Sequence, residues 1–390
     1  MTSLIARLPP FNYLRLGLKD PLDDLVDRLS SPVSVFLFAI FLSIHAAGLT
    51  FGSDFSCAFP PQYDGNWVGF ASQYCYVQPF FYMGDDTKHI SYFPWVSLVL
   101  FAQAFGFFAP KMFWHFAARH SELDYLSIIH FIRGLRKNIG EELNGNIKRM
   151  TNFMARHMGS AKHDSVSFLT RSPIVLLYLF KKWLYVFNAI LQFYLIIHFV
   201  GDGSWSWGVH SFVYAYSYAN TNETRLPTSP NFPTFTYCVP PYFVDGFKEE
   251  DHASCVMTIN FLTEKMYIIA YFWILMVAFS AFLSALYATI YYSFPTFRIN
   301  FVMSRVKKTK LGVTQWRVND FLNDYLHADG LLALNLVENS CDKILTEKLL
   351  CELWDKWQEQ ERKPTYQRLP QPLDETDKHV VDFDPNSPLI

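Results

Sequence analysis

Four long apolar stretches alternate with polar stretches along the chain. A helix needs about 20 apolar residues to cross a hydrocarbon core about 30 Å thick, where no water is available to hydrogen-bond the backbone. The stretches at residues 33–52, 90–114, 177–200 and 266–292 meet this requirement. The pattern therefore predicts an all-α membrane protein with four transmembrane helices.

Two of the predicted spans, the first and the third, need a further argument. The first could be mistaken for a cleaved signal peptide, but it lies behind an acidic segment at residues 20–27 and is long enough to span the membrane. The third contains Lys181 and Lys182, which fit only if their ammonium groups reach the membrane surface along their apolar stems. We keep both stretches as spans.

The polar stretches predict soluble segments of different kinds. Residues 53–89 and 201–265 form two loops on one side of the membrane, and residues 115–176 form a loop on the other side. Residues 115–176 and 293–363 mix charged and apolar side chains, which predicts helices, with Gly330 as a break between two helices of the tail. Residues 364–390 are acidic and rich in proline, so we expect disorder there.

Residues 1–32, which precede the first span, contain a short amphipathic pattern with partly helical spacing that includes Leu4, Ile5 and Leu8 and is interrupted by prolines. Such a piece could line the mouth of a pore or lie on the membrane surface. The sequence does not separate these two alternatives.

The distribution of charged residues along the chain indicates how the protein is oriented in the membrane. The chain is 51% hydrophobic and 17% charged with a net charge of −2, which gives no indication of nucleic-acid binding. Most of the 33 Lys and Arg residues lie in the two termini and the central loop, whereas residues 53–89 and 201–264 hold only Lys88, Arg225 and Lys248. The positive-inside rule therefore predicts that both termini are cytoplasmic.

The cysteines agree with this orientation. Cys57 and Cys75 fall in the first outside loop and Cys238 and Cys255 in the second, where an oxidising environment favours disulfides. Three connectivities are possible, and bridges between the loops would tie them into one cap. The remaining pair, in the tail, is expected to be reduced. A glycosylation sequon begins at Asn222 in the second outside loop.

Other classes of membrane protein fit less well. The 12 histidines form no cluster with metal-ligand spacing, and no glycine-rich phosphate loop is present, so we predict no enzymatic activity, metal or cofactor. A tetraspanin-like organiser would carry a Cys-Cys-Gly element, which this sequence lacks. Four polar residues inside the spans could mark a permeation path or form helix-to-helix hydrogen bonds, and we assign them no function: His45, Gln103, Asn188 and Gln192.

Several segments together resemble the innexin family, over most of the chain from about Asp23 to about Trp357. They are residues 24–29 before the first span, residues 92–95 at the start of the second, the two cysteine pairs, residues 255–265 before the fourth, and residues 352–354 in the tail. Residues Tyr92, Phe93, Pro94 and Trp95 are similar to the Tyr-Tyr-Gln-Trp signature of the family. Pro94 replaces the glutamine of that signature, which removes a polar side chain and a backbone N–H donor at this position.

The resemblance implies an innexin/pannexin-like large-pore channel in the plasma membrane. Subunits, as homo-oligomers or hetero-oligomers with octamers known in the family, would ring a pore, and two rings on adjacent cells would dock through their outside loops as a gap junction. The alternative is an undocked hemichannel that opens to the outside. A tetraspanin-like organiser is the weaker alternative.

The resemblance also implies roles for individual residues. The N-terminal segment would enter the pore, with Thr2, Ser3, Leu4, Ile5 and Leu8 forming part of the constriction. The family pairing would join Cys57 to Cys255 and Cys75 to Cys238. From the residues alone, Pro110 could kink the second span as a gating hinge or simply end its helix.

Overall fold

The computed structural model describes residues 22–51, 55–59, 61, 63–77, 80–83, 86–89, 92–119, 125–135, 140–158, 173–220, 231–244, 247–249, 253–307, 310, 312–341 and 343–362. The predictions for residues 2–8, for Asn222 and for the acidic tail at residues 364–390 lie outside these described residues.

The described helices are α1 (Leu25–Arg28), α2 (Ser34–Phe51), α3 (Gly65–Val77), α4 (Val96–Arg119), α5 (Tyr125–Gly134), α6 (Glu141–Met158), α7 (Pro173–Phe199), α8 (Trp207–Asn220), α9 (Ile259–Ser293), α10 (Pro295–Val306), α11 (Gln315–Asp320), α12 (His327–Ser340) and α13 (Lys343–Arg362). Two π-helical segments, Leu29–Val33 and Phe321–Leu326, join α1 to α2 and α11 to α12. A 3-10 turn, Phe93–Trp95, precedes α4. The strands are β1 (Phe55–Ala58), β2 (Phe80–Met83), β3 (Asp86–His89), β4 (Phe235–Cys238), β5 (Tyr242–Val244), β6 (Phe247–Glu249) and β7 (Ala253–Met257).

Four of these helical segments are long and apolar enough to cross a membrane, namely Leu25–Gly48, Phe93–Phe116, Ile174–Phe199 and Ile259–Ser293. The predicted fold class is therefore confirmed. The fourth helix begins before residue 266 because Asn260, Thr263 and Glu264 are buried at its start. Packing against protein, and not lipid alone, extends this helix beyond its apolar stretch.

The spans pack as a bundle in which α4 contacts α2 and α7, and α7 contacts α9. Its core contains Phe38 and Phe107, whose rings stack with centroids 5.4 Å apart, together with the small residue Ala189. The outer surface carries large apolar side chains, among them Phe187 and Phe279, which are 64% and 67% exposed. A soluble protein would bury such a surface, so its exposure agrees with a lipid environment.

The two ends of the bundle differ. One end, which we call the cysteine-bearing end, carries a five-stranded sheet in the order β1-β7-β4-β2-β3. The other, which we call the tail end, carries α5, α6 and α10 to α13. These helices share one apolar core with Trp114 of α4, and its largest members include Phe321 and Trp354.

The prediction of a helix break at Gly330 is wrong. Gly330 lies buried inside α12, where Leu331, Leu332 and Leu334 are also buried. Burial of this apolar cluster outweighs the modest intrinsic cost of a glycine within a helix. The irregularity lies earlier, where the π-helical segment ends and His327 adopts a positive φ of 52°.

Candidate functional site

The sheet at the cysteine-bearing end is built from both loops, with two strands of the second loop inserted between strands of the first. Strands β7 and β4, from the second loop, lie between β1 and β2 of the first loop, and all four pairings are antiparallel. Neither loop supplies a complete sheet alone, since β1 would lose its neighbour without β7. The two loops therefore fold as one unit, which we call the cap.

Two disulfides lock this arrangement. Cys57 lies directly opposite Cys255 in the register of β1 and β7, and the two are bonded. Cys75 of α3 is bonded to Cys238 of β4, so the second bridge ties the helix of the first loop to the sheet. This is the pairing that the resemblance implies. Three of the four cysteines are buried, and Phe55, Phe59 and Tyr74 pack around them.

Aromatic packing joins the cap to the spans at the signature residues. Phe93 is buried, and its ring lies 5.1 Å from that of Tyr76 in α3 and 6.2 Å from that of Phe55 in β1, between ring centroids. Partial burial raises the pKa of the Tyr76 hydroxyl above its ordinary value, so this group stays neutral at neutral pH. Tyr92 packs against Phe232 of the second loop at 5.3 Å. The signature thus forms the base of the cap.

Pro94 and Trp95 complete the signature. Pro94 lies in the first turn of the 3-10 segment, where a missing backbone N–H breaks no helical hydrogen bond. Trp95 points away from the protein and is 56% exposed. The replacement of the signature glutamine by proline is therefore compatible with the local backbone.

A cluster of charged side chains lies at the tail end of the bundle. Asp23, just before α1, contacts Lys111 of α4 with 2.6 Å between Oδ2 and Nζ, and Lys181 of α7 with 2.9 Å between Oδ1 and Nζ. All three residues are buried. The interpretation that the Lys181 ammonium would reach the membrane surface is therefore wrong, because the Asp23 carboxylate balances its charge inside the protein.

The same cluster continues through α1. Asp27 contacts Lys181 at 2.8 Å and Lys182 at 2.7 Å, and Lys182 also binds Asp24. The Lys182 ammonium additionally donates to the Ser284 hydroxyl of α9 at 3.3 Å. These residues, with Asp23 and Lys111, we call the ionic cluster. It connects the start of the first span, and the residues just before it, to the other three spans.

The sequence contains a signal for the ionic cluster. Acidic residues precede the first apolar stretch, and lysines lie within the second and third stretches. A buried charge requires a partner of opposite sign, so lysines inside an apolar helix point to carboxylates elsewhere in the chain. The composition alone does not say which carboxylates these are.

The other polar residues of the spans lie between helices. His45 of α2 is within hydrogen-bond distance of Ser97 of α4, with 3.1 Å between Nδ1 and Oγ. Gln103 of α4 and Asn188 and Gln192 of α7 are all buried inside the bundle. They therefore belong to helix packing and do not form an exposed lining within this subunit.

Pro110 lies buried within α4, which continues to Arg119. The alternative that this proline ends the helix is therefore wrong, and the alternative of a hinge stays a prediction.

The three sulfur atoms of Cys57, Cys75 and Cys255 lie within 4.8 Å of one another. They take part in disulfides, so they offer no thiolate to a metal ion.

Comparison with known proteins identifies similar sequences. A family model described as Innexin matches residues 23–357. The chain is 25% identical to Innexin-3 of Caenorhabditis elegans over 355 residues, which cover 86% of this chain and 83% of the relative. It is 24% identical to Innexin-5 of the same organism, over 89% of this chain and 83% of the relative. Innexin unc-9 is 24% identical, over 86% and 92% respectively.

Proposed function

Because the chain belongs to the innexin family, we propose that it is a subunit of an oligomeric large-pore channel that passes ions and small metabolites between adjacent cells. Innexins are gap-junction channel proteins, and the family match extends through all four spans and both cysteine pairs. The observation that carries the proposal is the cap, in which two loops form one disulfide-tied sheet at a single end of the bundle. We assign no catalytic residue, metal or cofactor.

The cysteine-bearing end faces the cell exterior and both termini are cytoplasmic. The distribution of Lys and Arg supports this orientation, as does the presence of disulfides at one end and of Cys341 and Cys351, which form no disulfide, at the other. In this orientation the cap is the surface that meets the cap of a ring on the neighbouring cell.

The segment before the first span contributes to the pore. Thr2, Ser3, Leu4, Ile5 and Leu8 form part of its constriction, a role implied by resemblance to the family. The ionic cluster supports this proposal, because Asp23 and Asp27 hold the base of that segment against α4 and α7. Width, and not a charged filter, then sets most of the selection, since no exposed charge lines the four described spans at mid-length.

The subunits form rings of eight identical copies, or mixed rings with other innexins, by analogy with the family. Paired cells that both express the protein test the central proposal, through electrical coupling and transfer of a small dye. We expect coupling in pairs in which both cells express the chain, and none when neither cell does. Surface-labelled protein without coupling or dye transfer in any pairing would contradict the junctional function.

Undocked hemichannels are the alternative function, and the sequon at Asn222 is the feature that distinguishes the two candidates. A glycan on the docking face would hold two rings apart, whereas one on the flank would not interfere. We expect Asn222→Gln to change coupling between paired cells more than the conductance of single cells. Equal coupling of the parent and the variant would remove this role of the residue.

A further inference from the structure

Helix α8 follows the third span after a sharp reversal of the chain. Asp202 and Gly203 both have positive φ angles, of 52° and 78°, and the Gly203 amide donates to the Ile197 carbonyl at 3.1 Å. The reversal brings the Trp205 ring back to Phe193 of α7, with centroids 6.0 Å apart. Phe193 lies about 9 Å before the end of α7 at Phe199, at the rise of an α-helix. The chain therefore descends again beside the bundle.

The start of α8 is fixed against α9 at the same depth. The Tyr271 hydroxyl donates to the Trp205 carbonyl at 2.8 Å, and the Tyr271 ring lies so close to Gly208 that a Cβ there would come within 2.4 Å of it. One turn further on, the Phe212 ring packs against Phe272 with centroids 5.6 Å apart. Two successive turns of α8 thus meet one level of α9, so α8 crosses the span instead of running along it.

The level of Tyr271 on α9 lies within the part of the spans that the membrane would cover. Tyr271 is about 20 Å along α9 from Ser284, the residue of α9 that contacts the ionic cluster. The hydrocarbon core of a bilayer is about 30 Å thick. A membrane that begins near the ionic cluster would therefore contain the level of Tyr271 and, with it, the start of α8.

The exposed half of α8 is divided lengthwise. One stripe is apolar and exposed and consists of Val209, Phe212, Val213 and Tyr216. The neighbouring stripe consists of His210, Tyr214 and Ser217. It borders a cavity of about 430 Å³ that Asn231, Trp207 and Val213, at the edge of the apolar stripe, also line. The helix contains no Asp, Glu, Lys or Arg.

From these four observations we infer that α8 is an interfacial membrane helix that lies in the leaflet on the cysteine-bearing side. Its apolar stripe contacts acyl chains, and its polar stripe with the adjoining cavity contacts lipid head groups. Tyrosine and tryptophan are the residues that favour this interface, because their rings are apolar and their tips are polar. The inference depends on the four spans and goes beyond the proposed function, since it does not require docking.

The surroundings of α8 favour lipid as the occupant. Its apolar stripe meets the exposed surface of α9, because Phe212 packs against Phe272 and Ile269 lies one turn before Phe272 on that helix; Phe272 and Ile269 are 39% and 53% exposed. A surface that includes the flank of a span is one that a bilayer covers. The polar stripe has hydroxyl and imidazole groups that can hydrogen-bond phosphate and ester oxygens.

Spin labels on the two stripes test the inference in the full-length assembly reconstituted in phosphatidylcholine nanodiscs. The background carries Cys341→Ala and Cys351→Ala, so that only the introduced cysteine is labelled. Val209→Cys and Tyr216→Cys report on the apolar stripe, and His210→Cys and Ser217→Cys are matched controls on the polar stripe. Accessibility to oxygen, which concentrates in acyl chains, is compared with accessibility to a water-soluble nickel chelate.

We expect the ratio of oxygen to nickel accessibility to be severalfold higher for labels at positions 209 and 216 than for labels at positions 210 and 217. Strong nickel accessibility at all four positions would overturn the inference, because α8 would then lie in water. Protection of positions 209 and 216 from both reagents would also overturn it, because a second copy of the chain would then cover the stripe. Elution of each labelled variant with the parent assembly shows that the fold is intact.

Discussion

The cap and the ionic cluster perform the same task at opposite ends of the bundle by different chemistry. Each joins segments that are distant in sequence: Cys57 and Cys255 are 198 residues apart, and Asp23 and Lys181 are 158 apart. The cap uses covalent bonds, and the cluster uses buried charges of opposite sign. In the proposed orientation, disulfides serve where the environment is oxidising, and ion pairs serve on the side where thiols stay reduced.

The two devices also differ in what they contribute. A disulfide stabilises mainly by restricting the unfolded chain, and this contribution does not depend on a balance of charges around the bond. A buried ion pair gains little net stability, because desolvation offsets the attraction, but removal of one partner leaves an uncompensated charge. The cap should therefore resist changes in its surroundings, whereas the cluster should fail when its charge balance is altered.

The largest effect on coupling between cells is expected from the cap. Cys57→Ala removes one bridge and should lower the stability of the cap by about 2–5 kcal/mol, since this bridge joins the two loops directly. Coupling between paired cells should be abolished, while membrane insertion persists because the four spans are unchanged. Coupling and surface biotinylation of the same cells measure both outcomes. The same result is expected for Cys75→Ala, Cys238→Ala and Cys255→Ala.

Cys351→Ala is the matched control for this experiment. It removes a buried cysteine that takes part in no disulfide, so coupling should persist. Normal coupling of the Cys57→Ala variant would show that the cap does not depend on its bridges.

The next effect is expected from the ionic cluster. Lys181→Met keeps the apolar stem but removes the charge shared by Asp23 and Asp27, and should cost about 3–5 kcal/mol. The thermal unfolding temperature of the detergent-solubilised protein should fall accordingly. Addition of Asp27→Asn should recover part of the loss, because it removes one uncompensated carboxylate.

Lys343→Met provides the control, because Lys343 is exposed at the start of α13. We expect its unfolding temperature to match that of the parent. A double variant that is less stable than Lys181→Met alone would contradict the charge balance proposed for the cluster.

A half-buried pair at the tail end should give an intermediate effect. The Arg305 guanidinium of α10 binds the Glu338 carboxylate of α12, with 2.6 Å between Nη2 and Oε1 and 3.0 Å between Nε and Oε2. Glu338→Ala should cost about 1.5–3 kcal/mol, the range for a hydrogen bond to a charged group. Thermal unfolding measures it, and the exposed Glu361→Ala is the control. Equal unfolding temperatures for both variants would show that this pair contributes no more to stability than an exposed surface pair.

The smallest effect is expected from the exposed pair of Lys310 and Asp355, whose side chains are 37% and 45% exposed. The hydrogen bond from Lys310 to Asp355 raises the pKa of this lysine above its ordinary value. The contribution is therefore present at neutral pH and is lost only as the pH rises through the pKa of the folded state. Asp355→Asn should change stability by less than about 1 kcal/mol, and less still in high salt. A loss of stability as large as that of Lys181→Met would contradict the expectation that buried ion pairs matter more than exposed ones.

The sequence predicted the spans because their signal is continuous over about 20 residues, and it placed Cys57 and Cys255 on the same side of the membrane. It did not predict the interleaving of the strands, which depends on pairings between loops more than 150 residues apart, as the 163-residue separation of Cys75 and Cys238 illustrates. It failed at Lys182 and Gly330 for a related reason. In both places local preference was overridden by distant partners, a carboxylate in one case and an apolar core in the other.

Electron imaging of the purified full-length assembly tests the central claim most directly, because it shows the number of copies and which ends of the subunits meet. The account predicts rings of identical subunits around a pore, joined in pairs through their disulfide-tied caps, with the α13 helices at the far ends. A strictly monomeric particle, or rings that meet through their α13 ends, would contradict it.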